Sequence, residues 1–187
     1  MEHETAPKRL DIKALALAGQ TLSGSDLLLN YERLKQELRG LEPESSTQMA
    51  VQWSARGEFR SGSSGAGEPW LHLSVSARLP LVCQRCMGPV DVHVELAQRY
   101  RFVATEAIAE AEDDEAEEDL LVISREFDLA GLIEDELLMA VPIVPRHDTC
   151  PVAVPMQVAD EAFDDAAGER PNPFAGLKGL VQTRKPG

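Results

Sequence analysis

Hydrophobic and polar positions alternate with a period of two over three stretches of the chain. Met49, Val51, Trp53 and Ala55 alternate with polar residues up to Gly57. Leu71, Leu73, Val75, Ala77, Leu79 and Leu81 alternate with His72, Ser74, Ser76, Arg78 and Pro80. After Met87-Gly88-Pro89 the alternation resumes on Val90, Val92, Val94 and Leu96 and reaches Tyr100 and Phe102. A period of two gives each strand one face to bury. The pattern therefore predicts strands near 47–57, 69–82 and 90–103, with the Gly/Ser-rich SGSSGAGEP as a connecting loop. A short apolar run predicts a fourth strand near 120–127. His72 and His93 fall on polar faces and read as surface histidines.

Two stretches carry the helical period instead. Ser25 is placed as an N-cap, Leu27, Leu28, Tyr31, Leu34 and Leu38 fall mostly at i, i+3, i+4 spacing, and Gly40 stops the run, which predicts a helix over 25–38. Asp128 caps a second predicted helix over 129–141, closed by Pro142. Its apolar face holds Leu129, Leu132, Ile133, Leu137, Ala140 and Val141, and Glu136 lands near the middle of that face. Glu134 and Asp135 point outward. The expected fold is one α+β domain, an antiparallel β-sheet with two helices packed on it.

Composition adds constraints. The 187 residues hold 18 Lys+Arg against 32 Asp+Glu, a formal charge of −14, with 5% aromatics. Nine acids and no base lie between Glu106 and Asp119, and without them the balance is −5. Like charges with little apolar surface favour a solvated segment, so 104–119 is predicted as an acidic disordered loop. The domain is expected over 1–152, followed at 153–187 by a mobile tail with the short motif RPNPFAGL. No run approaches the roughly 18 apolar residues of a membrane span, and the N-terminus does not read as a signal peptide. Three cysteines make no disulfide framework, which points to a reducing cytoplasm. The acidic balance disfavours bulk, non-specific nucleic-acid binding.

Candidate chemistry concentrates in one motif. Cys83-Gln84-Arg85-Cys86 sits in the turn between two predicted strands, and thiols at that spacing converge when the turn is tight, as in a zinc knuckle. His147 and Cys150 offer a second pair, so Cys83, Cys86, His147 and Cys150 form a candidate Cys3His zinc site if the fold joins pairs some sixty residues apart. The enzyme alternative is a thiol-redox pair at Cys83 and Cys86, but that chemistry wants its first Cys at a helix N-terminus and no helix pattern follows Cys86. Glu136 on an apolar face needs a partner, since burying an unpaired carboxylate costs several kcal/mol. Arg85 is the expected one, in a structural ion pair, with Arg125 and Arg146 as competitors. No phosphate-binding Gly loop, nucleophile elbow or zinc-protease motif is present, and no catalytic residue is assigned.

Three segments in this order resemble the bacterial YceD family, named for large ribosomal RNA subunit accumulation. They are CQRC after an alternating strand, DLAGLIEDELLMAVPIVPRHDTC, and the terminal RPNPFAGLKGL. The matching positions are Cys83, Arg85, Cys86, Asp128, Glu134, Asp135, Glu136, Pro142, Pro145, His147, Pro171, Asn172, Pro173 and Phe174. The resemblance implies a non-catalytic cytoplasmic factor that supports synthesis, processing or stability of 23S rRNA. It also implies a pre-ribosomal large subunit as partner. With this charge, the expected contact is a basic ribosomal protein or an assembly factor. It would be reached through the acidic loop and through Glu134 and Asp135, with Pro171, Asn172, Pro173, Phe174 and Leu177 as an apolar anchor. Direct rRNA contact is the rival expectation, placed on Arg78, Arg85 and Arg146.

Overall fold

A computed structural model describes residues 5–39, 49–61 and 67–155. The elements are α1 (Ile12–Ala18), β1 (Thr21–Leu27), α2 (Glu32–Glu37), β2 (Ala50–Ser61), β3 (Gly67–Val82), β4 (Pro89–Val103), α3 (Glu106–Glu112), β5 (Asp119–Val122) and α4 (Leu129–Ala140). The strands form one sheet in the order β1-β2-β3-β4-β5, antiparallel except where β5 runs parallel to β4. This is the expected α+β class. The three alternating stretches become β2, β3 and β4, and Asp128 caps α4, accepting from Gly131 N–H at 2.9 Å.

The sheet has an inner and an outer face. Val51, Trp53 and Ala55 on β2, Leu71 through Leu81 at odd positions on β3, and Val90, Val94, Tyr100 and Phe102 on β4 are buried on the inner face. Ile12 and Leu15 of α1, and Leu129, Ile133 and Leu137 of α4, complete that core. Gly57 lets α1 come this close: a Cβ there would stand 2.7 Å from the backbone of Leu15.

Several expectations are corrected. The predicted helix over 25–38 is a strand as far as Leu27, then a single 3-10 turn over Leu28–Asn30, then the short α2. Ser25 lies in β1 opposite Gln52 rather than capping a helix. The i, i+3 spacing of Leu28, Tyr31, Leu34 and Leu38 is satisfied by the turn and α2 together, all four being buried. Asp26 draws the chain inward at that point. It is 3% exposed and accepts from Tyr31 Oη at 2.9 Å and Ala6 N–H at 3.1 Å. Helix α1 was not anticipated, although its signals are ordinary: Asp11 Oδ1 accepts from Ala14 N–H at 2.9 Å, and Gly19 ends it with φ of 57°. The predicted strand near 120–127 is shorter and parallel, because α3 carries the chain back along β4 before β5 begins.

The segment 104–119 differs most from expectation. Thr105 caps α3, accepting from Ile108 N–H at 3.4 Å, and a 3-10 turn follows over Asp113–Glu115. One cation anchors it. Arg101, whose side chain is 12% exposed, donates to Glu112 at 2.7 Å and Glu118 at 2.6 Å, with Glu68 at 3.7 Å. The repulsion that predicted disorder is relieved locally by this one guanidinium. Residues 156–187, including Pro171, Asn172, Pro173, Phe174 and Leu177, lie outside the described residues, as does most of the expected mobile tail.

The Arg85–Glu136 ion pair does not form. Glu136 is 5% exposed and accepts from Tyr100 Oη at 2.6 Å. That phenol lies on the adjacent inner face of β4, nearer than any guanidinium, and burial and the carboxylate together push its pKa far above the usual phenol range. Glu134 has another role as well. Its Oε1 accepts from the backbone N–H groups of Arg33 at 2.7 Å and Leu34 at 3.2 Å, at the start of α2, where no local side chain caps the helix. A carboxylate there satisfies two open N–H groups and meets the positive end of the helix. Tyr100→Phe should destabilise by about 1.5–3 kcal/mol in urea unfolding, as expected for a buried hydrogen bond to a charged group. Glu134→Ala should cost about 1 kcal/mol. A Tyr100→Phe loss under about 0.5 kcal/mol would contradict this account of Glu136.

Candidate metal centre

The β3–β4 turn is held by its own backbone. Cys83 N–H donates to Gly88 C=O at 2.9 Å, and Met87 N–H donates to Cys83 C=O at 2.8 Å. Met87 takes the left-handed conformation with φ of 58°, the place where a glycine is more usual. This tight turn aims Cys83 and Cys86 to one side. The second pair arrives from the segment after α4. Pro142 ends the helix, and the chain then crosses the turn, where Gln84 N–H donates to Pro145 C=O at 2.8 Å. Arg85 fixes the crossing, donating to His147 C=O at 2.5 Å and Asp148 C=O at 3.3 Å. That is where Arg85 acts, in place of the ion pair expected from sequence.

The fold thus joins the two pairs. The ligand atoms of Cys83, Cys86, His147 and Cys150 all lie within 4.8 Å of one another. Cys83 Sγ stands 3.9 Å from Cys150 Sγ, and Cys86 Sγ stands 3.5 Å from His147 Nδ1. A tetrahedral ion with bonds of about 2.3 Å to sulfur and about 2.0–2.1 Å to nitrogen needs S···S edges of about 3.8 Å and S···N edges of about 3.5 Å. The spacing therefore suits such an ion, and it is too wide for a disulfide, whose sulfurs stand about 2.05 Å apart. The cluster could hold a metal ion.

Electrostatics favour a ligand at Cys83. Burial opposes its ionisation, but the backbone N–H groups of Cys86, His147 and Arg85 outweigh that cost and hold its thiol down at about 5. Cys150 goes the other way, raised by burial and by the neighbouring Cys86 and Cys83 sulfurs. Two thiols pushed apart in this way share one site, which a cation would relieve. Cys83 is fully buried, whereas reactive cysteines are partially exposed.

The other expected site residues are dispersed. Glu134 and Asp135 both meet Arg33, at 3.0 and 2.6 Å, so the outer side of α4 is not an unpaired acidic surface. The sequence assigned no role to Gln84 and gave Pro145 only a place among the matching family positions, yet their backbone contact seats the crossing segment. Only the pair of prolines at Pro142 and Pro145 hinted at a rigid strap.

The family model for "Large ribosomal RNA subunit accumulation protein YceD" matches residues 71–181, a stretch that contains all four clustered side chains. The chain belongs to the YceD family. A YceD protein of Haemophilus influenzae with that same name is 36% identical over 110 residues, which cover 58% of this chain and 63% of the relative. The chain thus spans less than two thirds of that relative's length. No solved structure matches it. Among the described residues no helix is long and apolar enough to cross a membrane.

Arg85→Gln should loosen the strap without touching a ligand side chain. Amide exchange across 145–150 should speed up by about tenfold, the loss expected for one charge-assisted hydrogen bond. Unchanged exchange would mean that the strap is held without Arg85.

Proposed function

We propose that this chain supports accumulation of large-subunit ribosomal RNA in the cytoplasm, acting by binding rather than catalysis, with a pre-ribosomal large subunit as its partner. Family membership over 71–181 carries the reading. Within that role, Cys83, Cys86, His147 and Cys150 bind one structural zinc ion. The convergence of the four donors within 4.8 Å of one another supports this, and so does the N–H-lined, fully buried Cys83, which suits a ligand better than an attacking thiol. Zinc staples the strap after α4 to the β3–β4 turn and so fixes the end of the sheet. The Pro171-Asn172-Pro173-Phe174 motif and Leu177 then contribute to contact with the particle.

Depleting the protein in its host should lower 23S rRNA relative to 16S rRNA, and re-expression should restore the ratio. An unchanged ratio would refute the rRNA role. Untagged protein should carry about one equivalent of zinc. Cys83→Ser and Cys150→Ser should each release it and destabilise the fold by about 3 kcal/mol or more. Protein that purifies without metal and keeps its Tm on chelation would refute the zinc centre alone.

A further inference from the structure

Among the described residues the outer face of the sheet carries no helix apart from α3 at its Arg101 end, since α1 and α4 pack on the inner face. Strand alternation sends every basic residue of β2, β3 and β4 to this outer face. All are arginines: Arg56, Arg60, Arg78, Arg99 and Arg101. The register sets Arg56 opposite His72 and His72 opposite Arg99, so that three adjacent strands present cationic or protonatable groups in one row. Arg78 faces His93 in a second row. Such groups directly opposed across strands cost stability when both are charged. In a chain with 32 acids to 18 bases, carboxylates were plentiful, so folding alone does not explain the rows.

The strands place four carboxylates on this face, Glu58, Glu68, Asp91 and Glu95, and they are unevenly distributed. Glu58 is shared by His72 at 2.6 Å, Arg60 at 2.8 Å and Arg56 at 3.4 Å. Asp91 and Glu95 lie on β4 on either side of His93, diagonal to Arg78 but beyond ion-pair distance of it. Arg78 and Arg99 are exposed and have no carboxylate within ion-pair distance among the described residues. Between the rows lies a shallow trough of about 380 Å³ floored by Ser54, Ser74, Ser76 and Ala97, with Glu95 at its β4 side. The rows are six residues apart on β3, about 20 Å. Beyond Arg60, which stacks 4.2 Å from the Trp70 ring, the balance inverts. There Arg101 is surrounded by Glu68, Glu112 and Glu118, so the acidic segment stands where an anionic ligand would extend the cationic row.

We propose that the outer sheet face binds the phosphate backbone of single-stranded RNA through Arg56, Arg78 and Arg99, and that the acidic α3 segment competes with RNA for the Arg101 end. Guanidinium forks match phosphate oxygens in pairs, and serine hydroxyls supply further backbone contacts. No large apolar side chain is exposed in the trough to anchor a protein partner. The inference rests on the rRNA role above for choosing RNA among polyanions.

The test is fluorescence anisotropy of the full chain with a labelled, mixed-sequence single-stranded RNA of about twelve nucleotides, between about 50 and 200 mM salt. Arg78→Gln with Arg99→Gln should weaken binding about tenfold at the lower salt and reduce the salt slope by about 1.4, two phosphate contacts' worth. Its Tm should be unchanged, since neither arginine holds a carboxylate partner among the described residues. Glu112→Gln with Glu118→Gln should tighten binding several-fold. Should that variant fail to fold, Glu115→Gln with Glu117→Gln, which leaves Arg101 its partners, should tighten it less. Absence of RNA binding in all of these proteins would overturn the inference, as would wild-type affinity in the double arginine variant. A chain that captures basic ribosomal proteins through the acidic segment but binds no RNA would also overturn it. In each of these cases the ratio of 23S to 16S rRNA on depletion decides the rRNA role separately.

Discussion

The register of β3 against β4 is the constraint on which the rest depends. Thirteen residue pairs run from Trp70 opposite Arg101 to Val82 opposite Pro89. Because side chains alternate, a slip of one residue on either strand would turn Val90, Val94, Tyr100 and Phe102 to water and bring Asp91, Glu95 and Arg99 into the core. Leu71 through Leu81 at odd positions pin the register from one side and the tight Cys83–Gly88 turn pins it from the end. The same ladder that buries the core therefore also decides where the thiols converge and on which face the arginines stand.

Two buried carboxylates show how that core tolerates charge. Asp26 and Glu136 each sit under a tyrosine hydroxyl, Tyr31 and Tyr100, at 2.9 and 2.6 Å. A phenol brings its own apolar ring, so it satisfies the carboxylate while adding to the packing, which a guanidinium with five donors would not do as readily in a dry site. The burial of both tyrosines among Leu34, Leu137 and their neighbours makes the hydrogen bond part of the core rather than an interruption of it. One cost remains visible: Asp26 Oδ1 has no hydrogen-bond partner among the described residues.

What the sequence revealed follows from which signals were local. Strands β2, β3 and β4 were legible because alternation over many residues has no helical counterpart, and α4 because Asp128 and Pro142 mark both ends. The 25–38 stretch was misread because Leu28, Tyr31, Leu34 and Leu38 have a spacing that a turn and a short helix satisfy as well as one long helix. The four donors of the metal cluster were legible as two pairs, and their meeting depended on the strap between Pro142 and Cys150 returning to the turn. The partner of Glu136 was not legible, since Tyr100 reads as just another inward residue of an alternating strand. Nor was the order of 104–119, which depends on Arg101, a residue outside the acidic run.

The acidity of the chain takes on a different meaning once its placement is known. Counted along the sequence, nine acids in one stretch look like a solvated arm held away from the fold. In space, Glu112 and Glu118 close on the same guanidinium as Glu68 of β3, while the neighbouring carboxylate Glu58 serves two arginines and a histidine. Positive and negative excess therefore lie side by side on one face of the sheet, each partly answering the other. Exposed charges are screened beyond about 8 Å at physiological salt, so this pairing is decided by immediate neighbours and net charge says little about it. A polyanion that reached Arg56 and Arg99 would meet a local surplus of cations despite a chain charge of −14, and the acidic segment is what limits how far along the strands that surplus extends.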